Sequence, residues 1–237
     1  MLIERKFMSV FCLVLGSTQN TQCLKLLIPE IEKHGHQTIT PSLPTDERAA
    51  SGIRYAEVIA QALKDVGDDV ILVGHSASGM FIPLVPSLRP IRRLIYLAAI
   101  IPKPGASIMD QFAAEPDMLN PEWMAACRSD NNPFTDDEVA IKFLFHDCPP
   151  EAIELGLTTR MLMYAEGAMT EIFPLEALPE VPSSYIVCAD DRTISPDWSR
   201  RTARERLGVE AIELPGGHCP YLSRPLQLAA VLIKMLA

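Results

Sequence analysis

Val70-Ile71-Leu72-Val73-Gly74-His75-Ser76-Ala77-Ser78-Gly79 runs from four large aliphatic residues straight into a cluster of small ones. That profile fits a buried strand that ends in a tight turn and passes directly into a helix. In a nucleophile elbow the turn is so sharp that the residues two before and two after its central residue must be small. Larger side chains there would collide with the strand and the helix. The usual pattern is G-x-S-x-G. Gly74 and Ser76 fit it, Ser78 stands where the second glycine is expected, and Gly79 follows. A small-residue turn with no chemistry reads the same over five residues, so the decision rests on partners elsewhere in the chain.

A serine hydroxyl is a poor nucleophile until a base takes its proton, and that base needs an acid to fix its tautomer. On a strand–turn–helix scaffold of this kind the chain order is Ser, then Asp or Glu, then His, each just after a strand. Ser184–Ala189 reads as a strand and leads into Asp190-Asp191-Arg192-Thr193-Ile194-Ser195-Pro196. Ala211–Leu214 reads as another and leads into Pro215-Gly216-Gly217-His218. Both groups sit where the order requires. Of the five histidines only His218 has that placement. His34 and His36 flank a helix end, His75 lies inside the elbow, and His146 lies far from any strand.

Further outward, short apolar strands alternate with amphipathic helices. Ser9–Leu15 is followed by a helix carrying Leu24, Leu27, Ile28 and Ile31, with Gly35 at its stop. Gln37–Thr40 is a second strand. Ser51 caps a helix with the stripe Ile53, Ala56, Ile59, Ala60 and Leu63, closed by Gly67. Arg93–Ala98 is a strand, and a last helix runs from about Pro225 to Leu236. Apolar strands separated by helices predict a mostly parallel sheet buried on both faces. Pro83 and Pro86 fall in the helix after Ser76 and predict that it is bent or shortened.

Residues 103–180 break the rhythm. They show no clear strand and several helical stretches (Thr135–Phe145, Pro150–Leu157, Thr159–Glu166). The expected organisation is a core of residues 1–102 and 181–237, with 103–180 inserted before the late strands as a helical cap. Six of the ten methionines fall there (Met109, Met118, Met124, Met161, Met163, Met169), to line an adaptable apolar pocket or simply to pack small helices. The segment also holds fifteen Asp and Glu against four Lys and Arg. Its net charge of −11, set against −9 for the chain, leaves +2 elsewhere.

The net charge argues against nucleic acid or an anionic membrane as partner. No run reaches the ~18 apolar residues of a membrane span. Arg5 and Lys6 before the apolar run Phe7–Leu15 superficially resemble a secretion signal, but a buried strand opening the sheet is the better reading. Cys12, Cys23, Cys127, Cys148, Cys188 and Cys219 show no C-x-x-C spacing. Neither zinc nor a dithiol motif is indicated, and reduced thiols in a cytoplasmic protein are expected.

These motifs resemble the α/β-hydrolase branch that holds plant methylesterases, hydroxynitrile lyases and bacterial esterase relatives. The likeness runs through Phe11–Gly16 with Gly35-His36, the elbow, Leu94–Ala99 leading to Pro102–Gly105, Phe145-His146-Asp147-Cys148, Tyr185–Asp191 and Gly217-His218. It implies the α/β-hydrolase fold, with Ser76 as nucleophile, His218 as base and Asp191 as acid, Asp190 being the fallback. It further implies that Ser17 and Ala77 donate backbone N–H groups to an oxyanion hole. The departures matter. Leu15 replaces the usual His before Gly16, and Thr18 and Gln22 replace aromatic residues, which predicts a wider or more polar pocket floor. Hydroxynitrile lyases carry Lys where this chain has Cys219 and Thr where it has Gly16, so cyanohydrin cleavage is not expected. Epoxide hydrolases and haloalkane dehalogenases use an Asp nucleophile, which Ser76 argues against. Cys219 beside His218 is a weaker candidate for an oxidation-sensitive thiol.

The expected activity is hydrolysis of a small, largely apolar carboxylic ester through an acyl-enzyme, with no metal and no cofactor. A lactonase or amidase would use the same residues, and a small-molecule receptor with weak turnover is the reading from another class. The expected partner is the small-molecule ester alone; a homodimer is left open.

Overall fold

A computed structural model describes residues 8–162 and 165–236. Six strands form one sheet: β1 (Val10–Val14), β2 (Gln37–Ile39), β3 (Val70–His75), β4 (Arg93–Leu97), β5 (Ser183–Cys188) and β6 (Ile212–Leu214). Their order is β2-β1-β3-β4-β5-β6 and every pairing is parallel. All six fall where apolar runs placed them. Val10–Val14 pairs with both β2 and β3, so the strand reading of that run holds; Arg5, Lys6 and Phe7 lie outside the described residues.

Alternation along the strands splits the core into two layers. Val10, Cys12, Val14, Val70 and Leu72 face Tyr55, Ala56 and Ile59 of the helix Gly52–Ala62. Phe11, Leu13, Ile71 and Val73 face Leu24, Leu27 and Ile31 on one side, and Leu228, Ala229 and Leu232 of the closing helix Pro225–Lys234 on the other. The Ser51 hydroxyl caps Gly52–Ala62 as expected, accepting from Arg54 N at 3.2 Å. That helix ends at Leu63, before Gly67, because Leu63 N already turns to Ala60 O.

After Ser76 the shortening goes further than one bend. Two tight 3-10 turns, Ser76–Met80 and Ile82–Ser87, stand where an α-helix was expected. Pro83 and Pro86 supply no N–H to a ladder, which favours the short form.

Between β4 and β5 the chain carries the helices Ile108–Ala114, Pro121–Cys127, Asp137–Ala140, Pro150–Thr158 and Glu166–Thr170. Ile141–Phe145 continues the third as a π-helical turn. Among the described residues of the helix expected over Thr159–Glu166, 159–162 and 165 are not helical: Arg160 forms a bridge to Gln19, and the next described helix begins at Glu166. The Thr158 and Thr159 hydroxyls turn back onto Glu154 O and Leu155 O and close the preceding helix. The acidic excess of this stretch meets arginines from elsewhere in the chain: Glu115 with Arg206, Asp117 with Arg201, Asp147 with Arg224 and Glu166 with Arg48. Its charge therefore serves docking as well as solvation. Among the described residues no helix is long and apolar enough to cross a membrane.

Candidate active site

Ser76 leaves β3 with φ +57°, a left-handed conformation that costs a non-glycine residue about 1 kcal/mol or more unless its surroundings impose it. They do. A Cβ on Gly16 would lie 2.6 Å from Ser76 Cβ and 2.9 Å from His75 O. A Cβ on Gly79 would come within 2.1 Å of Ile100 O, and Ile100 N binds the Ser76 carbonyl at 3.1 Å. The obligate second glycine is thus Gly79. Ser78 is tolerated because its buried hydroxyl lies 2.8 Å from Val14 O and 2.9 Å from His75 O, so its one proton is always satisfied.

His218, in the loop after β6, places Nε2 3.0 Å from Ser76 Oγ and Nδ1 2.7 Å from Asp191 Oδ2. Since the carboxylate only accepts, Nδ1 carries the hydrogen and Nε2 offers its lone pair to the serine hydroxyl. The other oxygen of Asp191 accepts from Thr193 N at 2.7 Å, Thr193 Oγ1 at 2.9 Å and Ile194 N at 3.2 Å. All three residues are buried. Asp190 is not at the imidazole: its N–H donates to Gly216 O at 2.9 Å and its carboxylate accepts Gly216 N at 3.0 Å.

The sequence reading passed over His75. Its Nε2–H donates to the His218 carbonyl at 2.8 Å, and its ring lies against those of His218 (4.6 Å) and Tyr221 (5.0 Å). Burial, with the nearby His218, holds its pKa well below the ordinary 6.5, so it is a neutral donor. Gln19 and Tyr221 were also missed. Gln19 Nε2 donates to Gly156 O at 3.2 Å and its oxygen accepts the Tyr221 hydroxyl at 3.0 Å. Buried polar residues give no periodic signal, so only their satisfied partners identify them.

An apolar cavity of about 120 Å³ opens beside Ser76 and His218. Ser17, Thr18 and Ala77 line one side, and Phe112, Leu119, Trp123 and Met169 from the β4–β5 segment line the other. Among the described residues no charged side chain lines it. Of the segment's described methionines only Met169 reaches this cavity. Met118 is buried in the core, Met124 packs against it, Met109 is exposed, Met161 lines a neighbouring cleft, and Met163 lies outside the described residues. Gln22 is exposed and forms no part of the pocket floor, so only Thr18 bears out the expected polarity there. Cys219 is buried, and burial pushes its thiol well above the ordinary cysteine value. Burial and the raised thiol argue against the oxidation-sensitive role, which is the weaker reading of Cys219.

Loops around this cavity follow the C-terminal ends of β1, β3, β4, β5 and β6, the edge where open parallel sheets bind ligands. With the elbow this defines the class, and the chain belongs to the alpha/beta hydrolase family, whose model matches residues 24–231. It is 28% identical over 252 residues to salicylic acid-binding protein 2 of Nicotiana tabacum, covering 95% of this chain and 96% of that protein. It is 26% identical over 245 residues to methylesterase 8 of Arabidopsis thaliana, covering 95% and 88%. Among solved structures polyneuridine aldehyde esterase superposes with a TM-score of 0.80 at 20% identity, over 98% of this chain and 100% of that one.

Proposed function

We propose that this protein is a serine hydrolase that cleaves a small, largely apolar carboxylic ester through an acyl-enzyme, with Ser76, His218 and Asp191 as its triad. The reading is carried by the unbroken chain of short hydrogen bonds from Ser76 Oγ through the imidazole to the Asp191 carboxylate. The names methylesterase and polyneuridine aldehyde esterase, borne by a relative and a structural neighbour, support it.

Ser76 Oγ attacks the ester carbonyl while His218 Nε2 takes its proton, and Asp191 stabilises the imidazolium. The backbone N–H groups of Ser17 and Ala77 receive the oxyanion. Both residues line the cavity, and a Cβ on Gly16 would sit 3.0 Å from Ala77 N, so the two amide-bearing loops adjoin. The imidazolium then protonates the departing alcohol, and a water deprotonated by His218 frees the acid. A cavity of about 120 Å³ without charge selects an uncharged acyl group near the size of a single ring; for scale, an apolar cavity of about 150 Å³ holds benzene. Residues 103–180 act as the cap that closes this cavity. A cytoplasmic location fits six cysteines that all stand as free thiols.

Ser76→Ala is expected to lower ester turnover at least ~10³-fold; unchanged turnover refutes the assignment. A second reading, a binding protein with weak turnover, draws on the printed name of the tobacco relative. Intact-mass analysis with p-nitrophenyl acetate separates the two: an acyl adduct that forms and decays marks an enzyme, and no adduct marks a receptor.

A further inference from the structure

Phe145-His146-Asp147-Cys148 stands out in the sequence, yet none of it belongs to the proposed triad. The structure places His146 and Asp147 against the loop that carries His218. We propose that Asp147 is a positioning residue for His218: it clamps the Gly217 amide and so fixes the imidazole between Ser76 and Asp191. The proposal rests on the triad reading given above.

The loop needs such a clamp. Residues 215–219 belong to no helix or strand, and two adjoining glycines give them wide backbone freedom. Asp147 Oδ2 accepts Gly217 N at 2.9 Å, one residue before His218, and also receives the Arg224 guanidinium at the head of the closing helix. One carboxylate oxygen therefore joins the β4–β5 segment, the histidine loop and the last helix. His146 Nε2 lies 3.2 Å from the Asp190 carbonyl on the neighbouring acid loop, so the pair reaches both partners of the imidazole's setting.

The two glycines are explained by the same contact. A Cβ on Gly217 would lie 2.7 Å from His146 Nε2 and 2.8 Å from Asp147 Oδ1. On Gly216, which has φ +95°, it would lie 2.3 Å from Asp147 Oδ2 and 2.1 Å from Arg224. The Gly-Gly and His-Asp pairs are complementary surfaces. Burial pushes the Asp147 carboxyl up, but the Gly217 amide and Arg224 outweigh it, so the group stays ionised at neutral pH.

A displacement near 1 Å at a reacting group costs about 100-fold in rate. With p-nitrophenyl acetate, Asp147→Ala is expected to lower kcat about 10- to 100-fold per titrated active site, with KM within about twofold. Labelling of Ser76 by a fluorophosphonate should slow by the same factor, because it needs the same base. Asp147→Asn keeps an acceptor for Gly217 N–H and should fall between alanine and wild type. Should the alanine variant fail to fold, the asparagine variant carries the test alone. A kcat at least about threefold down at unchanged KM supports the clamp. Wild-type kcat and labelling in a folded Asp147 variant, or a change confined to KM, overturn it while an inactive Ser76→Ala leaves the triad standing. Full activity in Ser76→Ala overturns the triad and this proposal together.

Discussion

The parallel sheet and the helical segment between β4 and β5 contribute to the site in different ways. Ser76, Asp191 and His218 all stand on loops that leave sheet strands. Ser76 is held from the sheet side, by Gly16 and by Ile100 N, whereas the loops after β1, β5 and β6 also take contacts from the segment. Thr159 O accepts Asn20 N at 2.9 Å and Met161 N donates to Thr18 O at 3.1 Å, which fixes the loop after β1. Asn120 N donates to Thr193 O at 2.8 Å and Met118 O accepts Ser195 N at 2.9 Å, which fixes the acid loop. Asp147 holds the histidine loop. The sheet's loops carry the candidate residues, and the segment adds part of the contacts that align them.

The sharpest way to break that division is at the sheet's own acid. Asp191→Asn keeps the shape but lets the imidazole take the wrong tautomer, and ester turnover is expected to fall about 10³- to 10⁴-fold. Asp190→Asn touches only Gly216 and should cost less than about tenfold; equal losses would mean the two carboxylates share the role. Gly79→Ala tests the elbow. With Ile100 O only 2.1 Å from the new methyl, backbone must move, and urea unfolding should show a loss of about 1–3 kcal/mol or more. Ser78→Gly loses one buried hydrogen bond, about 0.5–1.5 kcal/mol. If Ser78→Gly proves the worse of the two, the close approach is misplaced.

The segment's docking is the next target. Glu115 accepts the Trp198 indole N–H at 2.7 Å and pairs with Arg206, both charges mostly shielded from water. Glu115→Ala leaves Arg206 without its carboxylate and should destabilise the fold by about 1–3 kcal/mol in the same assay. Asp117→Ala removes an exposed pair with Arg201 and should cost under about 1 kcal/mol. Comparable losses would show that the segment is held by its summed charge and not by the shielded pair.

How much of this was legible follows the same division. The strands are continuous apolar runs, and chain order alone points to Ser76, His218 and the Asp190-Asp191 pair; the choice of Asp191 over its neighbour comes from the family resemblance. The segment's helices are short, and their bounds depend on contacts made at a distance. Thr159 ends a helix through its own hydroxyl, and Arg160 is drawn into a bridge with Gln19, two effects that periodicity does not encode. The contacts of His75 and Gln19 stayed hidden for a related reason: their partners, the His218 and Gly156 carbonyls and the Tyr221 hydroxyl, lie more than a hundred residues away. Asp147, seventy residues from Gly217, differs only in range.

An effect confined to low pH belongs to His75, on the sheet side of the site. Its folded-state pKa is depressed because burial, with the nearby His218, opposes its charge. The unfolded chain therefore binds a proton below the ordinary 6.5 that the folded chain refuses. The stability this histidine leaves intact above pH 6.5 is lost as pH falls below it, by up to about 1.4 kcal/mol per pH unit. Urea unfolding of wild type and His75→Gln between pH 5 and pH 8 isolates this proton. The two stabilities should run parallel above pH 6.5, and the variant should decline less steeply below it. Parallel curves throughout would mean that His75 takes up its proton as readily in the folded protein as in the unfolded chain, against the direction argued from its burial.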